Sequence, residues 1–440
     1  MSDQSQNKLT SSISRRTVLK GTAAAGAAAI AVHPKANPAF AVNYLQGTPI
    51  TVKYGTWFWN EPGRGDAWQK QVDRFNAAQK DIKIEGVGVP FDQYTNDIII
   101  QLQAGKIDYD VIQTTPDLVL RLLQADVLAP LTKVLEANGI EKLSEGHNNL
   151  YVDDQVRGLD VVTVVFGLFY NQAMFDAAGI TALPTTIEDW KAASTQLTKR
   201  PNQFGMYSPH NMAEPESFWF TLQEWALPFS GRWATGKTPN LNSEPILQTV
   251  QLFKDMYDAS FPQGVDDATA TRQWGEGQIA QELIVSALAN VFKDTAPDLY
   301  PDLRSMPLPW ESKESIARIH PITVNNQKDQ AIQDAAIEWL TDLYKPENYR
   351  QLLMDCLDVI PAYDVGDLSE YYGSLPWTGG FQDVKLVTPP EMVGDFIYNN
   401  QELGQIVINH VSEVLTGGTS VEDAMTAAQA EAEELAANLE

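Results

Sequence analysis

Apolar positions change period several times over the first third of the chain. Ile50, Val52 and Tyr54 alternate with polar residues and run into Gly55, a pattern that predicts a half-buried strand ending in a loop. Asp66 then precedes Trp68, Val72 and Phe75 at helical spacing, so a helix follows. Ile82, Ile84 and Val87 predict a second strand, residues 94–104 a helix stopped by Gly105, and residues 109–112 a third short strand. Strands alternating with helices imply a parallel α/β sheet, whose ligands bind beyond the carboxyl ends of the strands. Two segments fall at such ends: the loop Thr56-Trp57-Phe58-Trp59-Asn60-Glu61, aromatic where loops usually are not, and Thr114-Thr115-Pro116-Asp117.

From Gly158 the pattern becomes nearly continuous and apolar. Residues 161–170 read as one buried strand, long enough to cross between two bodies. A short helix stopped by Gly179 and another opened by the Thr186 cap follow, then a region with three tryptophans between Asn211 and Trp233. Leu283 to Val285 is a short strand, while residues 331–344 and 421–439 are amphipathic helices.

The first 41 residues change the picture, because they say where the chain works. Ser14-Arg15-Arg16-Thr17-Val18-Leu19-Lys20 is a twin-arginine export motif, followed by a weakly apolar run and a small-x-small site at Ala39-Phe40-Ala41. That run is too short and alanine-rich for a permanent membrane span. The sequence predicts cleavage before Val42 and residence in the periplasm. Cleavage removes Lys8, Arg15, Arg16, Lys20, Lys35 and Asp3, taking the net charge from −26 to −30. Such a field disfavours nucleic acid and anionic membranes as partners. Cys356, the only cysteine, permits no internal disulfide, so burial must hold the fold. About 400 residues call for two cores. The histidines are scattered, with no metal-binding spacing, so neither metal nor cofactor is expected.

Several segments, in order, resemble one family. "WQKQVDRFNAAQKDIKIE", "LQAGKIDYDVIQTTPDLVLRLLQADVLAPL", "GLFYNQAMFDAAGITALPTTIEDWKAASTQLTK", "WGEGQIA", "SMPLPW" and "VLTGGTSVEDAMTAAQAE" are similar to the carbohydrate-binding solute receptors of ABC importers, the group that includes maltose-binding protein. The resemblance covers nearly all of residues 50–439. It implies an α/β fold of two discontinuous lobes joined by crossover hinge strands, closing on a solute. The lobes are expected as 42–160 and 288–345 for the first, 161–287 and 346–440 for the second. The crossings would lie near residues 159–164, 286–291 and 343–349. A monomer handing sugar to the permease's membrane subunits is the implied arrangement, without catalysis.

A sugar site needs flat aromatic platforms and a rim of paired hydrogen-bonding groups. Trp57 and Trp59, two apart at a strand's end, face either ligand or core. Asn60 and Glu61 match the family's early polar ligand loop, with Thr114 in the second loop. Asp117 aligns with an acidic position that binds sugar hydroxyls, its bland alternative being a helix N-terminal Asp. Glu214 resembles the family's ligand-binding "E-P" turn. Trp219 is either core or a stacking ring. Trp377 and Gly379 lie in a glycine-flexed loop where the family often places a stacking residue. His320 replaces part of a common glycine pair and is either a ligand contact or packed at a strand start. Ser286 to Asn290 lacks the usual Gly-Pro-Trp platform, which argues against a long oligosaccharide.

Two other readings stay open. An exported glycoside hydrolase would use two carboxylates, Asp117 and Glu214. A binder of another polar solute, such as a glycerol phosphate, polyamine or osmolyte, is the second; phosphate would call on Arg64, Arg232 or Arg318.

Overall fold

The computed structural model describes residues 48–439 apart from 62 and 382. The expected signal segment, 1–41, lies outside them. The chain opens with β1 (Ile50–Thr56), α1 (Arg64–Ala78), β2 (Ile82–Gly88), α2 (Phe91–Gln103), β3 (Val111–Gln113) and α3 (Pro116–Gln124). Trp68, Val72 and Phe75 are all buried, as their spacing requires. The apolar run at 161–170 is two strands rather than one: β4 (Leu159–Val164) and β5 (Phe166–Asn171), with Val165 between them.

Further on come α4 (Pro215–Glu224), α5 (Asp267–Gly275), β6 (Gln281–Val285), β7 (Leu303–Met306), β8 (Glu314–Ile316), β9 (Arg318–Val324), α6 (Gln330–Leu343), α7 (Pro346–Asp355), β10 (Lys385–Val387), α8 (Asn400–Ser412) and α9 (Val421–Ala436). The strands form two main sheets, ordered β2-β1-β3-β9-β4 and β6-β5-β7, with β8 paired to β10 alongside. β1 runs parallel to both β2 and β3, whereas β9 is antiparallel to β3 and β4. Each sheet has its own core, and the molecule is two-lobed.

The first core gathers Val52, Tyr54, Trp68, Ile112, Trp339 and Leu340. The second sheet is covered on both faces, because successive side chains of a strand point opposite ways. Phe166, Leu168 and Tyr170 of β5 enter one cluster with Trp190 and Trp225; Phe169 enters another with Trp274, Phe292 and Trp377. Each such ring, fully buried, stabilises the fold by about 1.5–3 kcal/mol.

All three expected lobe boundaries shift. Residues 161–164, expected with the second lobe, complete β4 in the first sheet, and their valines pack into the first core. Residues 303–306, expected with the first lobe, form β7 and pair with β5 in the second sheet. The chain returns to the first sheet only at Ala317, between β8 and β9. Tyr349, Leu352, Leu353 and Tyr363, expected with the second lobe, pack into the first core, and the chain leaves it again before Trp377. Backbone pairing and ring stacking, neither of which leaves a mark in local periodicity, decide all three points.

Candidate functional site

Because β1 and β3 are parallel neighbours, the loops after Thr56 and Gln113 leave the same edge of the first sheet. Thr56 Oγ1 accepts the Phe58 N–H at 3.0 Å, turning the chain into a short 3₁₀ helix over Phe58–Asn60. Trp57 is buried in an aromatic nest, edge-on to Phe58, Phe91, Tyr94 and His320 at centroid distances of 4.8, 5.4, 5.3 and 5.7 Å. Trp59 lies against Gly86, where a side chain would have no room, and its indole N–H is buried without a partner. Asn60 is exposed beside Gly88. Glu61 accepts from Arg64 at 3.0 Å, and Arg64 is in turn held by Asp358 at 3.0 Å.

A cleft of about 280 Å³ opens between the lobes. Its first-lobe wall is Phe91, Thr95 and Asn96 of α2 with Thr115 and Asp117 at the start of α3; its second-lobe wall is Glu216, Trp219, Phe220 and Gln223 of α4 with Asn400 and Gln405 of α8. Arg318, the first residue of β9, stands between them. The Thr115 side chain accepts the Leu118 N–H at 3.2 Å, capping α3 and placing Asp117 in its first turn. On α4, Glu216, Trp219, Phe220 and Gln223 recur at i, i+3, i+4 and i+7, so one helix face lines the cleft. Trp219 is anchored by its indole N–H, which donates to Asn400 Oδ1 at 3.0 Å, and by an edge-on contact with Trp233.

The charges in this cleft are poorly solvated. Burial raises the Asp117 carboxyl above the usual carboxylate range, against the opposing pull of Arg318 and a hydrogen bond with Asn400. Glu216, at the exposed rim, is raised by loss of solvent and then by Asp117 across the cleft, with Arg318 opposing. Burial pushes the Arg318 guanidinium down to about 9, resisted by Asp117, Glu216 and Glu224, so it stays charged at neutral pH. Arg318 lies over the Phe220 ring, donates to the Phe220 carbonyl at 3.3 Å, and keeps a buried Nε–H without a partner.

Of the residues singled out from sequence, Asp117 and Trp219 line this cleft. Trp57 and His320 lie outside the lining, Trp57 edge-on to its Phe91 and His320 edge-on to Trp57. The His320 N–H donates to Asp160 Oδ1 at 2.7 Å; burial pushes the imidazole down to about 4, and its Nδ1 has no partner. Thr114 is occupied in the sheet, its N–H and hydroxyl both donating to the Pro321 carbonyl at 2.8 Å. Glu214 accepts the Asp267 N–H at 2.8 Å and so caps α5 rather than facing the cleft. Trp377 is fully buried, donating to Tyr300 Oη at 3.0 Å and packed on Phe169 and Phe381; Gly379 is exposed in the next turn. Trp59, Asn60 and Glu61 also lie outside the cleft lining.

Sequence reasoning missed Thr115, Glu216 and Asn400, and offered Arg318, which does line the cleft, only as a partner for phosphate. Helical spacing back from Trp219 points to Glu216. Nothing local marks Asn400, which comes from a distant segment. Among the described residues no cluster of His, Cys, Asp or Glu could hold a metal ion, and no helix is long and apolar enough to cross a membrane.

Comparison with known proteins agrees with this fold. The model of the bacterial extracellular solute-binding proteins matches residues 59–350, and that of the twin-arginine translocation signal matches residues 12–31, which directs export to the periplasm by that route. A search of curated proteins returns no match. Among solved structures, a solute-binding protein of Thermotoga lettingae TMO bound with α-D-tagatose is similar with a TM-score of 0.74 at 17% identity, covering 88% of this chain and 100% of that one. The sugar-binding protein MalE of Xanthomonas citri has a TM-score of 0.72 at 15% identity over 88% and 97%. The cyclic α-maltosyl-1,6-maltose binding protein of Arthrobacter globiformis has 0.70 at 18% over 89% and 100%. At these identities the likeness speaks for the fold.

Proposed function

This chain belongs to the bacterial extracellular solute-binding proteins, and on that footing we propose that it is the periplasmic receptor of an ABC importer for a sugar or polyol. One observation carries the reading. Two walls from different lobes present a ring, carboxylates and amides to one small space: Asp117 from α3, with Glu216, Trp219, Gln223 and Asn400 from α4 and α8. Rings take the apolar C–H face of a sugar, and the carboxylates and amides take its hydroxyls. The structural neighbours that bind tagatose, mannitol and maltosyl sugars support the ligand class.

Function then follows from closure. A ligand touching both walls favours the form in which they meet, and the permease subunits read that form. The pivots are the crossings at Val165 and Ala317 and the passage between Leu368 and Trp377. The cleft's size suits a mono- or disaccharide.

The site is non-catalytic in this reading. A glycosidase sets its two carboxyls to different roles; burial is the first cause that raises both Asp117 and Glu216. Glu214, the other carboxylate considered, is engaged with Asp267. A phosphate ligand has little support: Arg64 is bound by Glu61 and Asp358, Arg232 by Glu314, and Arg318, the one of the three that lines the cleft, shares it with the carboxyl groups of Asp117 and Glu216.

The test is a thermal-shift screen of the chain from Val42 against sugars, polyols, amino acids and glycerol phosphates. A ligand that binds only the native state raises the melting temperature by mass action. A saturable shift with one sugar or polyol, recovered intact, supports the proposal. A shift only with a phosphate or an amine overturns it.

A further inference from the structure

Arg318 differs from the other arginines near the lobe boundary. Arg64 is clamped by two carboxylates and Arg232 by one, each at 3.0 to 3.1 Å. Arg318 has three acidic side chains around it, Asp117 from the first lobe and Glu216 and Glu224 from the second, yet forms no ion pair among the described residues. Glu224 is already engaged, its Oε2 accepting the Ile316 N–H at 2.9 Å. The Phe220 ring holds the guanidinium plane, and the single hydrogen bond recorded for it, to the Phe220 carbonyl, uses one of five donors. The remaining donors are oriented in advance and unused.

Its place in the chain matters as much. Ala317, where the chain passes from the β8 ladder of the second lobe to the first sheet, is its neighbour, so Arg318 sits between both walls. The cleft therefore offers a fork of donors beside two carboxylates with open acceptor positions.

Resting on the receptor reading above, we propose that Arg318 is a ligand-binding residue that restricts this cleft to uncharged polyhydroxylated ligands. The reasoning is one of matching. A hydroxyl accepts from the guanidinium and donates to Asp117 or Glu216 at once, so neighbouring hydroxyls bridge the two kinds of group. A cationic ligand satisfies the carboxylates but faces Arg318. An anionic ligand satisfies Arg318 but faces two carboxylates. Discrimination of this kind comes from the repulsive element as much as from the attractive one. Removing Arg318 leaves two carboxylates with no counter-charge in the lining, which favours a cation.

The experiment uses the full mature chain and three variants: Arg318→Met, Arg318→Lys and Arg318→Gln. Each is titrated calorimetrically with tagatose, mannitol and maltose, with glucuronate as the anionic probe and glucosamine as the cationic one. Wild type should bind a neutral probe at least 30-fold more tightly than either charged one. Arg318→Met should lose at least tenfold in neutral affinity and gain at least tenfold for glucosamine relative to it. Arg318→Lys, which keeps the charge and loses the fork, should weaken neutral binding while still rejecting glucosamine. Arg318→Gln replaces the methionine variant if that one fails to fold, judged by its unliganded melting curve. A neutral probe bound equally well by wild type and Arg318→Met overturns the role of Arg318 and leaves the receptor reading standing. Failure of wild type to bind any neutral probe overturns both.

Discussion

The indole of Trp219 rests against the backbone of Gly404, so closely that a Cβ at Gly404 would stand only 2.3–2.6 Å from its ring atoms. The glycine sits inside α8, where alanine would ordinarily favour the helix by about 0.5–1 kcal/mol. Here it exists to let a ring approach. Gly404→Ala should push Trp219 off its hydrogen bond to Asn400, lower stability by about 1–3 kcal/mol and weaken ligand binding at least tenfold. Calorimetric titration and unfolding of the variant check this; a more stable protein with unchanged affinity would mean that the ring moves aside freely.

Asp117 and Glu214 should behave as opposites. Asp117 faces the cleft and is held in a poorly solvated position, so Asp117→Asn should cost at least tenfold in affinity with the unliganded melting temperature unchanged or raised. Glu214 caps α5 through Asp267, so Glu214→Ala should cost about 1 kcal/mol of stability and leave affinity intact. Melting curves and titrations on the two variants separate a binding group from a structural one.

Asp160 is fully buried and serves several donors. Its carboxylate accepts from the His320 N–H at 2.7 Å, from His147 Nε2 at 3.0 Å and from the Thr163 hydroxyl. The His320 contact lies where the register between β4 and β9 shifts, so Asp160 holds that irregularity in place. Asp160→Asn turns one acceptor into a donor facing donors and should cost about 3 kcal/mol, measured by urea unfolding.

Glu224 sets a pH dependence. Burial lifts its carboxyl from 4.5 to about 8, so the folded chain keeps a proton that the unfolded chain releases. Its contribution is fully present below pH 4.5 and is lost as pH rises through 8, at about 1.4 kcal/mol per unit in between. Asp358, raised to about 7, acts in the same direction, and His320, lowered to about 4, acts in the opposite one between pH 6.5 and 4. The difference between wild type and Glu224→Gln cancels those shared terms. The variant should gain on wild type steadily from pH 5 to 8 in denaturant titrations; parallel curves would show that Glu224 ionises normally.

Replacing Arg15 and Arg16 with lysines should strand the precursor in the cytoplasm, seen as loss of the mature band from the periplasmic fraction. The motif lies within the matched export signal, so normal maturation would point to another route.

Much of this fold is legible in the chain. The first three strands and two helices of the first lobe, with the helix near 331–344, follow from apolar period, and the strand-end loops that flank the first sheet follow from alternation of strand and helix, because both depend on near neighbours. The apolar run at 161–170 shows the limit. Its composition announces burial, but only pairing with two different sheets divides it at Val165 into β4 and β5. Likewise Tyr349 and Tyr363 join the first core by stacking on Tyr344, at 5.2 and 5.7 Å, across separations that no local pattern records.

The site divides along the same line. Export was determined by a motif of contiguous residues and the candidacy of Trp219 by its place in an amphipathic stretch, while the two-lobed architecture, the solute-receptor kinship and the candidacy of Asp117 came from the resemblance of ordered segments to one family. Tertiary structure decided that Glu216 rather than Glu214 faces the cleft, that Trp377 spends its indole on Tyr300, and that Arg318 and Asn400, about 200 and 180 residues from the groups they meet, complete the walls. A cleft between lobes is made by residues whose only relation is where two separately folded cores bring them, and that relation is written in packing and backbone pairing, not in spacing along the chain.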